Sequence, residues 1–202
     1  MNPAPNYASR LLLAVLLSLI AGCSGMRLID NEVISHARWS DKPAAPGSTY
    51  RFERLPSQQT GGEPGQEQLE AMAQSALGKF GLVHYPEAAL LVVQLSATTV
   101  VQPGYSGSWP PFPSVSIGAG TAGSQIGMMF PMMRYEPPLY IREVQILIRD
   151  SRSYAVVYET RARHSGLWAD GRALMPALLD AALSGFPSPP PGPRRVNVQI
   201  PR

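Results

Sequence analysis

Apolar residues along this chain follow two different spacings, and the switches between them lay out the elements. Tyr50 and Phe52 alternate with Arg51 and Glu53, the period of a short strand that Pro56 stops. Between 66 and 80 the apolar positions are Leu69, Met72, Ala73, Ala76, Leu77 and Phe80. That is the stripe of a helix with one buried face, and Gly81 stands where a left-handed residue closes it. Residues 90–100 are rich in β-branched side chains, with Leu91, Val93, Leu95 and Ala97 on one face of a predicted strand. Residues 140–149 set Val144, Ile146 and Ile148 against Glu143, Gln145 and Arg149. The turn-rich 150–153 then leads into a second alternating run over 154–162, so the pair predicts an antiparallel hairpin with one packed and one wet face.

A second helix runs through 178–183, closed by Gly185 and Pro187, with Pro176 tolerable only in its first turn. The Pro-rich 188–193 predicts polyproline II, and 196–200 alternates as a strand that adds either to this sheet's edge or to a partner's. These elements predict an α+β two-layer sandwich, a mostly antiparallel sheet of about four to five strands with two helices on one face. Residues 61–65 read as a loop, and the aperiodic stretch 23–47 as a tether.

The front of the chain obeys a different logic. Arg10 precedes an unbroken apolar run from Leu11 to Ile20, about ten residues, which suits a signal-peptide core and is too short to span a bilayer. The run ends in Ile20-Ala21-Gly22-Cys23, an aliphatic residue, two small ones and a cysteine, the arrangement of a lipobox. Residues 1–22 are therefore expected to be an export signal and Cys23 the lipid-bearing first residue of the mature chain, anchored stably by several acyl chains such as palmitate. Ser24 occupies the place where an Asp would mark inner-membrane retention, which points to the outer membrane and its periplasmic side.

Composition narrows this further. Cys23 is the single cysteine, so an intrachain disulfide, a cysteine metal cluster and a catalytic thiol are all excluded once it is acylated. The formal net charge is +3 and falls by one when Arg10 leaves with the signal; no basic block marks a nucleic-acid surface.

Five short stretches in order then resemble the DUF4136 family of envelope lipoproteins. They are Tyr50-Arg51-Phe52, Leu91-Val92-Val93, Ile146-Leu147-Ile148-Arg149-Asp150, Val156-Val157-Tyr158 and Phe186-Pro187. The resemblance brackets most of 48–188 and implies an envelope location and an α/β fold over 48–187, followed by a tail over 188–202. It implies no activity, because the family's domain is one of unknown function.

The segment 102–138 stands apart: it is dense in Pro, Gly and Met, and only Arg134 and Glu136 in it carry charge. Insertions of this length are uncommon unless functional or disordered, and a disordered one is normally charged. Trp109, Phe112, Met128, Met129, Phe130, Met132 and Met133 are its candidate contact residues for a protein or membrane partner. The competing reading folds the segment back over the sheet with Trp109 and Phe112 in the core. Within it, Met128 to Met133 offers four thioethers, soft donors suited to Cu(I) binding, but no Cys or His stands beside them. Gly118-Ala119-Gly120-Thr121-Ala122-Gly123 matches a dinucleotide fingerprint in letters; Gly127 and Pro131 argue against the helix such a site needs, which leaves a Gly-rich connector and no expected cofactor. His36, His84 and His164 are isolated and read as surface or partly packed. Ser106 lacks a nucleophile elbow. The expectation is thus a non-enzymatic docking or accessory module of the envelope, with small-ligand or Cu(I) binding as the alternative and a hydrolase with a dispersed site behind it.

Overall fold

The computed structural model describes residues 25–40, 42–59, 64–104, 106–109, 114–120, 123–129 and 132–201. In chain order the elements are β1 (Met26–Ala37), β2 (Thr49–Phe52), α1 (Pro56–Gln59), α2 (Pro64–Lys79), β3 (Val83–His84) and a 3-10 turn (Pro86–Ala88). There follow β4 (Leu91–Gln102), β5 (Ser106–Trp109), β6 (Ser114–Gly120), β7 (Gly123–Met129), β8 (Met132–Tyr135), β9 (Leu139–Asp150), β10 (Val156–Gly166), α3 (Leu174–Leu183) and β11 (Arg194–Pro201).

Seven strands form the main sheet in the order β11-β1-β10-β9-β4-β2-β3. It is mixed: β2 runs parallel to both β3 and β4, and the pairings from β4 to β11 are antiparallel. This corrects the expected sheet of four to five mostly antiparallel strands with two helices; the described residues hold seven main-sheet strands and three helices.

Most of the difference is β1. The stretch 23–47 was expected to be an aperiodic tether, yet Met26–Ala37 lies inside the sheet between β10 and β11. Its buried positions are Ile29, Asn31, Val33 and Ser35, while Leu28 and Ile34 stand exposed on the other face. Two polar residues inward and two aliphatic ones outward cancel the hydrophobic alternation on which a strand is recognised. The polar pair finds partners on neighbouring strands. Ser35 Oγ and Thr160 Oγ1 lie 2.7 Å apart across the ladder, and Asn31 Nδ2 donates to the Val196 carbonyl at 3.1 Å.

Both longer helices cover the same sheet. In α2 the buried residues are Leu69, Ala73, Ala76 and Leu77, the predicted stripe, and Gly81 follows at φ +82°. In α3 burial extends almost all round the helix, through Leu178, Leu179, Ala181, Ala182 and Leu183, because it packs on both the sheet and α2. Pro176 sits in its first turn, where its missing N–H costs no helical bond. Lys79 Nζ reaches Asp180 at 2.6 Å across the α2–α3 contact. The opposite sheet face is polar: Glu143 pairs with Arg161 at 3.2 Å and Arg149 donates to Gln94 at 2.9 Å. The tail strand β11 joins this chain's own sheet, along β1 from Met26↔Pro201 to Val33↔Arg194.

Candidate functional site

The segment between β4 and β9, read from the sequence as a long Gly/Pro/Met-rich insertion, holds four strands paired in two ladders beyond the β4–β9 hairpin. The β4–β9 ladder runs from Leu91↔Asp150 to Gln102↔Leu139. The next ladder, β5–β8, runs from Ser106↔Tyr135 to Trp109↔Met132, with an equal number of residues spent in each arm, so the register is kept. Residues 110–113 on one arm and 130–131 on the other lie outside the described residues. Pairing resumes in β6–β7, from Ser114↔Met129 to Gly120↔Gly123. The result is two separate two-stranded sheets, β5–β8 and β6–β7, together called the ribbon below, and among the described residues these four strands pair only within them.

The ribbon's point of departure matters. Glu32 pairs with Arg163, Gly166 with Tyr140 and Gln102 with Leu139. With strand directions alternating, the start of β1, the end of β10, the start of β9 and the end of β4 all lie at one end of the sheet. Cys23 lies outside the described residues, but only Ser24 and Gly25 separate it from the first residue of β1. The chain therefore enters the fold at the end from which the ribbon leaves.

The predicted contact residues distribute along this ribbon. In backbone register Trp109 is paired with Met132, Met133 with Ser108, Met129 with Ser114 and Met128 with Val115. Phe112 and Phe130 lie outside the described residues. Strand alternation puts Met128 and Met129 on opposite ribbon faces, and Met132 and Met133 likewise, so the backbone does not gather the four onto one face for a metal. In the glycine motif, Gly118 and Gly120 end β6 and Gly123 opens β7 opposite Gly120. A strand follows where a phosphate site needs a helix N-terminus. Ser106 is the first residue of β5, in register with Tyr135. Groups of His, Cys, Asp and Glu able to hold a metal do not occur among the described residues.

A second feature at the same end was not legible beforehand. Arg142 and His164 are register partners on β9 and β10, and Asn31 on β1 is one residue nearer the ribbon end than Glu32, which pairs with Arg163. All three are buried, and Gly171 lies against the Arg142 side chain. Arg142 Nη2 donates to the Ala169 carbonyl at 2.6 Å, and His164 Nδ1 lies 2.7 Å from the Asp30 carbonyl oxygen. Arg142 Nη1, His164 Nε2 and Asn31 Oδ1 have no protein partner. Burial, partly offset by Tyr140 and Asp170, pulls the Arg142 pKa below its ordinary value. His164 was expected to be a surface or partly packed histidine, and is 8% exposed. The available signal was parity: Arg142 shares the inward register of Val144, Ile146 and Ile148. His36 is exposed on β1; His84 is exposed too, its ring 5.3 Å from those of Tyr50 and Phe52.

Elsewhere, a groove of about 870 Å³ is lined by Arg51, Glu53, Arg54, Glu70, Arg149 and Tyr154. Its charges are largely spent on one another. Arg54 holds Glu70 through two bonds of 2.7 and 2.8 Å, which draws the Glu70 carboxyl below its usual range, and Arg149 lies 3.6 Å from Glu53.

No protein-family model matches the chain, and no curated protein is similar to it. Among solved structures, a PDZ domain protein from Parabacteroides distasonis is similar with a TM-score of 0.51 and 14% identity, over 96% of this chain and 43% of that one. The chain thus spans less than half of that protein's length, and the likeness is one of fold alone. Two dodecamer structures of PelC from Paraburkholderia phytofirmans align over 78% of this chain at 14% and 16% identity, covering 98% and 99% of theirs. Their TM-score of 0.42 is too low to assign a shared fold.

Proposed function

We propose that this chain is a lipid-anchored protein of the cell envelope, held by acylated Cys23 at the periplasmic face of the outer membrane. Its body is a non-enzymatic scaffold that presents the 102–138 ribbon to another component of the envelope. The observation that carries this reading is the shared end: two residues separate the lipobox cysteine from β1, and the ribbon leaves the sheet where β1 begins. An anchor so short holds that end close to the membrane surface. The DUF4136 resemblance supports the same compartment.

The test has two parts. Labelling cells with an alkyne-bearing palmitate should tag the wild-type chain and leave Cys23→Ser untagged. Photo-crosslinking probes at Trp109, Phe112 and Phe130 should then trap a reproducible envelope adduct. If replacing 104–137 with an Asn-Gly turn left every envelope association unchanged while the body stayed folded, the docking role would be wrong.

A further inference from the structure

Where the chain enters the sheet, the rim is apolar on both faces. Met26, Leu28, Leu167 and Trp168 are each more than half exposed. Strand alternation points Met26 and Leu28 to the face opposite Arg27. Continuing the β1–β10 register past Glu32↔Arg163 brings Leu28 level with Leu167 and Arg27 level with Trp168. In agreement with that register, the Arg27 guanidinium lies over the Trp168 ring, 3.9 Å from its centre. An indole with a cation stacked on it suits a boundary that solvates an apolar ring and a charge together, as lipid headgroups above acyl chains do. Arg27 takes part in no ion pair among the described residues, which leaves its charge available to a phosphate.

The loop 167–173, between β10 and α3, is fastened to the body beneath these side chains. Arg142 Nη2 donates to the Ala169 carbonyl at 2.6 Å, and the Met175 N–H donates to the Gly171 carbonyl at 3.0 Å. The buried Arg142 thus fixes the backbone directly after Trp168, and Leu167 and Trp168 stay turned outward without either helix covering them. The anchor says what covers them. Cys23 stands three residues before Met26, a reach of at most about 11 Å at ~3.6 Å per residue. Its acyl chains start at headgroup level, so Met26 comes within that distance of a lipid surface whatever the tilt of the body, with Leu167 and Trp168 beside it. The β9–β10 turn at Arg152 lies at the opposite end, roughly 40 Å away along the 12 residues of β9.

Resting on the lipid-anchored reading above, we infer that Met26, Leu28, Leu167 and Trp168 form a second, non-covalent membrane contact. They insert at the boundary of headgroups and acyl chains beside the Cys23 lipid, with Arg27 on a lipid phosphate, and so stand the body with its β9–β10 turn farthest from the bilayer.

The experiment uses the full acylated chain in vesicles of phosphatidylethanolamine and phosphatidylglycerol, where Cys23 is blocked by its lipid and an introduced cysteine is the single free thiol. A nitroxide is attached at Ala169→Cys, beside Trp168, or at Arg152→Cys, and its collisions with oxygen and with a water-soluble nickel chelate are compared. The expected result is a label at 169 shielded from nickel at headgroup depth, and one at 152 as open to nickel as in water. Adding Trp168→Asp to the Ala169→Cys chain should abolish the shielding, whereas Leu90→Asp, at an exposed apolar position of the far end, should leave it, both variants keeping the melting midpoint of the body. Water-like collisions at 169 on a chain of verified acylation overturn the proposal, as does shielding that survives Trp168→Asp. Equal shielding at 169 and 152 overturns it too, since the body then has no preferred end, and so does shielding that requires added envelope proteins, which makes the rim a protein contact. Failure of palmitate labelling at Cys23 would instead remove the anchored reading itself.

Discussion

The body and the ribbon of this chain are both built from paired strands, yet they solve the problem of a strand's second face in opposite ways. In the body, the face of β9 and β10 away from the helices carries Glu143, Gln145, Glu159 and Arg161, joined by contacts such as the 3.2 Å Glu143–Arg161 pair. Water can solvate that face, and the helices α2 and α3 bury the other. Along β6 and β7 no charge occurs at all, and neither helix lies in the same stretch of sequence. Hairpins of two strands are marginal in water without a packed face. The contrast teaches that the body's second face is solvated by its own paired charges, whereas the ribbon carries none with which to do the same.

The sharpest way to break that contrast is to truncate one apolar residue in each region. Leu178→Ala, at a position with no exposure between sheet and α2, should cost about 2–5 kcal/mol in urea denaturation. Ile117→Ala in β6 should move the body's midpoint by less than about 0.5 kcal/mol. Comparable losses would mean that the ribbon is core after all, folded back on the sheet.

Next in size is Thr160→Val. Thr160 Oγ1 lies 2.7 Å from both Ser35 Oγ and the Ala182 carbonyl, tying β1 and α3 to the middle of the sheet. Losing that hydroxyl leaves buried partners unsatisfied, and equilibrium unfolding should register about 1–3 kcal/mol.

Arg142→Met should be gentler than its burial suggests, within about 1 kcal/mol of wild type by thermal melting, because it removes a buried charge that forms no ion pair among the described residues. A large loss there would show that the Asn31–His164–Arg142 row is held together by something beyond the Ala169 carbonyl bond.

The smallest effect is titratable. Glu70 is drawn below its ordinary value of 4.5, chiefly by the Arg54 hydrogen bonds. A depressed folded pKa means that the stabilisation is present above the unfolded value and lost as pH falls through the folded one. The wild-type advantage over Glu70→Gln should therefore be full near neutrality and close in acid. An advantage independent of pH would assign it to packing instead of charge.

Local pattern was enough for the elements whose two faces differ cleanly in polarity. The stripe from Leu69 to Phe80 specified α2, Val144, Ile146 and Ile148 specified β9, and the return through Tyr158 specified β10, since burial of one face is a property of consecutive residues. The lipobox reading and the absence of charge between Glu87 and Arg134 are likewise properties of the sequence itself. What only the tertiary structure decided is which polar residues find partners far along the chain. Asn31 and Ser35 look unsuited to a core until Val196 and Thr160 arrive beside them, so β1 passed for a tether and the sheet for a smaller one. Parallel pairing of β2 with β3 and β4 depends on the α2 crossover, which no local spacing announces. The ribbon's register, and its departure from the end where β1 begins, follow from strand directions summed across the whole sheet, a quantity that exists only once the strands are ordered.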